Sequence, residues 1–265
     1  MKVTVFGASG PTGKLLTARV LADGHDVVAM ARRPTMFPVT ADRLRVVGGD
    51  ATSPEDVSAA IAGSDAVVSV LGASFSRHPI HLYSASAQAI CAAVARVGTG
   101  RLIVTSSAVL SDWTDPEWGW AERTVARQIL GRLGRTLYAD MARMESIVSA
   151  SGVDWTIMRP LGLANLDPPT TYRIAEDHVA GRQTARRDLA AAIVDQLTRT
   201  DYHRKAVAVA TTNRHQSVAQ TIWREGIKPN LLAALHRSRA GSHSGREKVT
   251  QCPIRTTTLT SEIRR

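Results

Sequence analysis

Short apolar segments alternate with longer amphipathic segments from the start of the chain. The short segments are rich in β-branched residues and predict strands at 3–6, 26–31, 44–47, 66–71, 101–105, 154–158 and 206–210. Strands that are apolar along nearly their whole length are typical of sheets with both faces covered. The pattern therefore predicts a parallel sheet with helices on each side.

The longer segments between these strands have the spacing of helices. The clearest is 136–150, where apolar residues recur every three or four positions at Leu137, Met141, Met144 and Val148. The same reasoning predicts helices at 14–22, 54–62, 84–97 and 185–197, the last with Thr184 as its N-cap. This alternation predicts an α/β fold, a Rossmann-like doubly wound parallel sheet in a single domain over residues 1–210.

The composition changes after residue 210. Residues 211–265 carry ten basic and three acidic residues, which is most of the chain's formal net charge of +10. We predict a basic and poorly ordered C-terminal extension there. Its basic residues could contact phosphates, but the segment has neither a nucleic-acid-binding motif nor an aromatic stacking surface, so a nucleic-acid partner is not favoured.

The rest of the composition is that of an ordinary globular protein. No window approaches the roughly 20 apolar residues of a bilayer span, and the first residues do not read as a signal peptide, so we expect a cytoplasmic protein with no membrane partner. Cys91 and Cys252 are not expected to form a disulfide in a reducing compartment. No Cys and His cluster has metal-ligand spacing, and no metal is predicted.

A glycine motif joins the first strand to the first helix. Segment 7–13 has the pattern G-x-x-G-x-x-G, in the strand–loop–helix context that a dinucleotide-binding motif requires. Its glycines permit a tight turn, close approach to a pyrophosphate and close helix packing, while the helix N-terminus offers free amides. The alternative is a tight turn without a ligand. The residues assigned to the cofactor here are Gly7, Ser9, Gly10, Pro11, Thr12 and Gly13.

The end of the second strand predicts which dinucleotide binds. NAD-specific sites usually place an acidic residue there to bind the ribose 2′-hydroxyl, but this chain has Arg32 and Arg33. An arginine fork suits a 2′-phosphate, so NADP(H) is the predicted cofactor, with NAD(H) as the alternative. The alternative is that the two arginines are a solvated surface pair. Asp50, followed by Ala51, is placed to accept from the adenine amino group.

Several features together resemble the atypical short-chain dehydrogenase/reductases. They are segment 7–13, Arg32, 49–50, Gly72, 105–107 and the run SGVDWTIMRP at 151–160. Within that group, the chain resembles the NAD(P)H-binding family that includes biliverdin reductase B and flavin reductase, over roughly residues 1–210. Gly72 would let the chain pass close to the cofactor or is an ordinary loop glycine. Arg159 with Pro160 would line the site, or Arg159 forms an ion pair.

The sequence differs from the family at the usual catalytic pair. Active short-chain dehydrogenases carry Tyr-x-x-x-Lys on one helix, where residues four apart share a face. Here Tyr138 is followed four positions later by Ala142, and Arg143 is one position beyond. Tyr138 is therefore not assigned as a general acid, and a partly buried helix tyrosine is the simpler interpretation.

The resemblance nevertheless implies a reductase that passes hydride directly to a stacked planar acceptor: a flavin, a quinone or a linear tetrapyrrole. Thr105, Ser106 and Ser107 follow the fifth strand, where ligands bind such sheets; one serine would hydrogen-bond the nicotinamide or acceptor, or serve as a cap.

Two loops would hold this small-molecule partner. The first, at 74–80, contains His78, and the second, at 111–120, contains Trp113 and Trp118, which would stack on the acceptor or form a small core. A monomer or weak homo-oligomer is expected. The alternative function is a non-catalytic NADP(H)-sensing regulator.

Overall fold

A central sheet organises the part of the chain that the computed structural model describes, residues 1–111, 134–166, 170–176 and 178–212. Its eight strands are β1 Lys2–Phe6, β2 Asp26–Ala31, β3 Leu44–Gly48, β4 Ala66–Ser69, β5 Arg101–Thr105, β6 Trp155–Pro160, β8 Tyr172–Glu176 and β10 Lys205–Thr211. A separate two-stranded sheet pairs β7 Gly162–Ala164 with β9 Gln183–Ala185. The helices are α1 Pro11–Ala22, α2 Pro54–Ile61, α3 Leu82–Val97, α4 Arg135–Ala150 and α5 Arg186–Asp195.

The strand order confirms the predicted doubly wound topology. The strands lie in the order β3-β2-β1-β4-β5-β6-β10-β8. All neighbouring pairs are parallel except β10 and β8. The chain moves outward from β1 to β3 and then returns to β4 on the other side of β1. This reversal opens a crevice at the carboxyl ends of β1 and β4, where sheets of this kind bind ligands.

Two apolar layers hold the helices against opposite faces of the sheet. Phe6, Ile90 and Leu102 belong to the layer under α2, α3 and α4 and are fully or almost fully buried. The layer under α1 and α5 includes Leu16 and Ile193, both without exposed surface. Each such side chain contributes roughly 1.5–3 kcal/mol to the free energy of unfolding by leaving water. The sheet is thus rigidly supported beneath its carboxyl edge.

Several boundaries differ from the sequence predictions, most of them by one or two residues. Helix α1 begins at Pro11, three residues earlier than predicted, because proline is well suited to a first helical position. Strand β4 ends at Ser69 rather than at residue 71. Thr184 lies in β9 and is not a helix cap: its hydroxyl donates to the Val209 carbonyl at 2.5 Å, and Ala185 is the N-cap of α5.

The strands β7, β8 and β9 were not predicted from the sequence. Each has only three to five residues, so none shows a long alternating pattern. β8 runs antiparallel at the edge of the sheet, whereas a wholly parallel sheet is expected from the sequence. The last strand, β10, ends at Thr211, one residue beyond the predicted domain end. Among the helices of the described ranges, none has the length and apolar character of a bilayer span.

Candidate functional site

The glycine loop is shaped by backbone contacts that leave no room for side chains. Gly7 has φ +80°, and a Cβ there would lie 2.6 Å from the Val70 carbonyl oxygen. A Cβ on Gly13 would lie 2.1 Å from the Gly7 carbonyl oxygen. That same carbonyl accepts the Gly10 amide at 3.0 Å, which closes the turn. Only glycine fits at the first and third positions, because any side chain would collide with main-chain atoms.

The helix that follows this loop has an uncapped N-terminus. Gly10 is the N-cap and supplies no side-chain hydrogen bond, and the first turn contains no acidic residue. Amides in a first helical turn have no intrahelical acceptor, so those of Thr12 and Gly13 are available to a ligand. Ser9 is exposed and Thr12 is largely buried. Together with the cradle formed by the glycines, this end fits the negatively charged pyrophosphate of a dinucleotide.

The ends of β2 and β3 bring together the residues assigned to the adenosine half. Arg32 and Arg33 directly follow β2 and are exposed. The Asp50 carboxylate accepts the amide and the hydroxyl of Thr52, both at 2.8 Å. These bonds and the nearby Arg32 charge lower the pKa of Asp50, although burial opposes them. Ala51 is buried beside it.

Arg32 carries the chemistry that a 2′-phosphate needs. Its guanidinium makes no hydrogen bond or ion pair within the described ranges beyond the charge attraction to Asp50. An exposed arginine with free donors can form two parallel hydrogen bonds to a phosphate. The structure thus places Arg32, Arg33 and Asp50 at the carboxyl edge of the sheet. The Arg32 guanidinium stays available to a ligand.

Open space adjoins the glycine loop at the end of β4. The Leu71 amide nitrogen lies 2.9 Å from where a Gly7 Cβ would stand, so the two loops touch. A Cβ added to Gly72 would meet no atom within 4 Å. Nothing in the described chain therefore requires a glycine at this position, and the space beside it suits a ligand.

Two buried hydroxyls mark the end of β5, next to β4. The oxygens Thr105 Oγ1 and Ser106 Oγ are buried and have no hydrogen-bond partner within the residues that the structure describes. Ser106 is only 4% exposed, and its amide donates to the Met158 carbonyl at 2.8 Å. Ser107 differs, because its hydroxyl oxygen accepts the Val109 amide at 3.3 Å and begins a short 3-10 turn. Buried polar groups in proteins nearly always have partners, so Ser106 is the serine better suited to meet a ligand.

Arg159 is held in an ion pair. Its guanidinium makes two bonds to the Glu145 carboxylate, at 3.0 and 2.5 Å, and both side chains are mostly buried. Of the two alternatives drawn from the sequence, the ion pair is the one that the structure shows. Pro160 is buried at the end of β6. Contact of either residue with a cofactor stays a prediction.

Helix α4 has no Tyr–Lys pair. The Tyr138 ring packs edge-on against Phe75, with ring centroids 6.4 Å apart. Burial, with a smaller contribution from Tyr83, raises the pKa of Tyr138 to about 12. Ala142 occupies the lysine position, and the Arg143 guanidinium is bound to Asp140 at 3.0 Å. A phenol with so high a pKa, and with no lysine four positions further along its helix, is poorly suited to proton transfer at neutral pH.

Asp140 is a residue that the sequence reasoning missed. Its side chain is fully buried and accepts the Tyr83 amide at 2.8 Å and the Ser84 hydroxyl at 2.5 Å, in the first turn of α3. A carboxylate suits the positive end of a helix dipole. The available signal was its position three residues after Leu137, on the apolar face of α4.

The predicted acceptor residues are only partly described. His78 is exposed in the loop after β4, where its amide donates to the Ser76 hydroxyl at 3.0 Å. Trp113 and Trp118 lie outside the described residues. Contact of the two tryptophans and of His78 with the acceptor stays a prediction.

A family comparison decides between a bare turn and a dinucleotide site. Residues 7–200 match the sequence profile of the family described as NAD(P)H-binding. The chain belongs to this NAD(P)H-binding family. The match begins at Gly7, the first residue of the glycine motif, and includes every strand from β2 to β9. This match confirms the resemblance to atypical short-chain dehydrogenase/reductases. The family is one of oxidoreductase-like proteins.

Individual relatives and solved structures are similar to parts of this chain. An uncharacterized protein of Mycobacterium tuberculosis is 39% identical over 108 residues, which are 40% of this chain but only 12% of that protein. A short-chain dehydrogenase/reductase from Veillonella parvula, solved with NADP, has a TM-score of 0.66 at 21% identity over 81% of this chain and 96% of its own. An oxidoreductase from Lactococcus lactis has a TM-score of 0.66 at 18% identity, covering 89% and 97%. At these identities the solved structures show a shared fold.

Proposed function

We propose that the protein is an NADPH-dependent reductase of a planar acceptor such as a flavin, a quinone or a linear tetrapyrrole. The observation that carries the proposal is the buried hydroxyl of Ser106 at the carboxyl end of β5, which has no hydrogen-bond partner within the described residues. A polar group buried without a partner costs stability, and a bound ligand would supply that partner. The residues best placed to bind such a ligand all lie at the carboxyl edge of the sheet.

Preference for NADP(H) over NAD(H) rests on the end of β2. Arg32 and Arg33 occupy the place where an acidic residue would select the 2′-hydroxyl of NAD. Asp50 would accept from the adenine amino group through the oxygen that Thr52 leaves free, since both Thr52 bonds go to Oδ1. A structural neighbour solved with NADP supports a nicotinamide cofactor.

The chain's own residues would bind and orient the reactants. The amides of Thr12 and Gly13 would hold the pyrophosphate, and the Ser106 hydroxyl would donate to the nicotinamide carboxamide or to the acceptor. When bound, NADPH supplies a hydride, so that NADPH, acceptor and one proton become NADP⁺ and the two-electron-reduced acceptor. The proton would come from solvent or a nearby hydroxyl, because burial raises the pKa of Tyr138 to about 12 and makes its phenol a weak acid at neutral pH. Positioning is then the protein's main contribution to the rate.

A regulatory protein that binds NADP(H) without turnover is the second candidate. The observation that favours it is Ala142 at the position of the family's lysine. We also propose a cytoplasmic location and a monomeric or weakly associating state, as expected from the sequence.

Turnover separates the two candidates. The purified protein would be mixed with NADPH and FMN, then with a panel of quinones, and the nicotinamide absorbance followed against a blank without acceptor. Oxidation above the blank supports the reductase. Tight NADPH binding with no oxidation by any acceptor would instead favour the regulator.

A further inference from the structure

The loop between β4 and α3, residues 70–81, is fastened at its middle to helix α4. The Thr136 hydroxyl donates to the Ser76 carbonyl at 2.7 Å. One residue earlier in the loop, Phe75 packs against the ring of Tyr138. These contacts come from the first turn of α4. They hold a segment that leaves the sheet at its ligand-binding edge.

Both ends of the same loop are also fixed. Near its start, the Ala73 amide donates to the Tyr83 phenol oxygen at 2.9 Å. Near its end, the Ile80 carbonyl accepts from Arg143 Nη2 at 3.0 Å. Because residues 70 and 71 also touch Gly7, the loop connects the dinucleotide motif directly to α4.

Arg143 occupies the central position in this arrangement. The same nitrogen that binds the Ile80 carbonyl also lies 3.0 Å from Asp140 Oδ1. Asp140 in turn accepts the amide of Tyr83 and the hydroxyl of Ser84. A fully buried carboxylate is costly unless it is well bonded, so these donors anchor one another. Arg143 therefore ties the end of the loop to the joint between α3 and α4.

We propose that Arg143 is a positioning residue that fixes residues 73–80 of this loop as one wall of the acceptor site. This proposal rests on the proposed reductase function where it concerns the acceptor, but the fixing of the loop is independent of it. Arg143 then does not replace the missing lysine beside Tyr138, because its Nη2 is already bonded to Ile80 and Asp140. In active short-chain dehydrogenases the corresponding helix carries the Tyr-x-x-x-Lys pair. In this chain, helix α4 holds the loop instead.

The test compares three variants of the full chain. Arg143→Met removes both bonds. Arg143→Lys keeps them, because a single nitrogen makes both and an ammonium can donate to both oxygens. Arg135→Met is the matched control, since Arg135 is exposed on the same helix and makes no hydrogen bond or ion pair within the described residues. Thr136→Val, which leaves Asp140 fully bonded, replaces Arg143→Met if that variant fails to fold.

Amide hydrogen exchange of segment 73–81 is the first readout, with and without NADPH. The Ala73 amide donates to the Tyr83 phenol oxygen of α3, and the His78 amide donates to the Ser76 hydroxyl. Loosening the loop in Arg143→Met should therefore speed the exchange of these two amides by about tenfold or more. Arg143→Lys and Arg135→Met should match the wild type. Unchanged exchange in Arg143→Met, or equal acceleration in Arg135→Met, would overturn the proposal.

Kinetics with NADPH and FMN give the second readout. Arg143→Met should raise the KM for FMN by about fivefold while kcat and the Kd for NADPH change by less than about twofold, and Arg143→Lys should restore the KM. A rise in the Kd for NADPH of the same size as the rise in KM would overturn the assignment to the acceptor side. If the wild type oxidises no NADPH with FMN, the reductase proposal is what fails, and the exchange result still decides whether Arg143 fixes the loop.

Discussion

Replacing Gly72 by alanine tests whether a ligand, rather than the chain, requires a glycine there. Within the described residues an added Cβ meets no atom within 4 Å, and Gly72 does not have a left-handed φ. Folding should therefore tolerate the change, and a stiffer unfolded chain should raise the free energy of unfolding by about 0.4–1 kcal/mol. If the cofactor passes beside residue 72, however, the methyl group intrudes on it. Overpacking of this size costs about 1–3 kcal/mol, which weakens NADPH binding about 5- to 150-fold.

Gly152→Ala is the matched control for this experiment. A Cβ on Gly152 also meets nothing within 4 Å, but the residue precedes β6 at the opposite, amino-terminal edge of the sheet. The assay is titration of nicotinamide fluorescence, with urea unfolding to confirm that both variants are folded. The reasoning predicts loss of affinity in Gly72→Ala alone. Wild-type affinity in a folded Gly72→Ala would refute it and leave Gly72 as an ordinary loop glycine.

Three further substitutions test separate parts of the site. Arg32→Ala should weaken NADPH binding by about 1.5–3 kcal/mol through loss of a charged hydrogen bond and leave NADH binding nearly unchanged; equal effects on both would remove Arg32 from the 2′-phosphate. Ser106→Ala removes a buried hydroxyl without a partner in the described chain, so stability should hold or rise while turnover with FMN falls about 2- to 10-fold; unchanged turnover would exclude a role for this hydroxyl. Burial raises the pKa of Tyr138 from 10.0 to about 12, so its neutral phenol stabilises the fold below pH 10 and that contribution is lost as the pH rises toward 12. Tyr138→Phe should therefore reduce the alkaline loss of unfolding free energy by about 2 kcal/mol in urea titrations, and an unaltered pH profile would count against the burial of this phenol.

Local sequence signals were sufficient to predict the glycine loop and the end of β2. Gly7 and Gly13 are required by contacts within a few residues or with the adjacent strand, and such turns have a recognisable spacing. The end of β2 follows from its apolar pattern, so Arg32 could be placed at the sheet edge. Topology then brings these positions together, because parallel strands present their carboxyl ends along one edge.

The features that the sequence did not reveal depend on distant partners. Asp140 bonds to a residue 57 positions away, and its place on the apolar face of α4 does not reveal which groups bind its carboxylate. Thr184 resembles a helix cap, but its hydroxyl instead bonds to the neighbouring strand β10. For Arg159 the sequence allowed either a place in the site or an ion pair, because the ion pair depends on how Glu145 of α4 faces β6. Each of these is decided by tertiary packing rather than by local propensity.

The central claim is that this edge of the sheet binds NADP(H), and direct titration tests it best. The full chain would be titrated in parallel with NADPH and NADH at one fixed salt concentration, following the nicotinamide fluorescence. Saturable binding of NADPH, at least about tenfold tighter than that of NADH, is the predicted result. Tighter binding of NADH would contradict the role given to Arg32, and no binding of either dinucleotide would contradict the site itself.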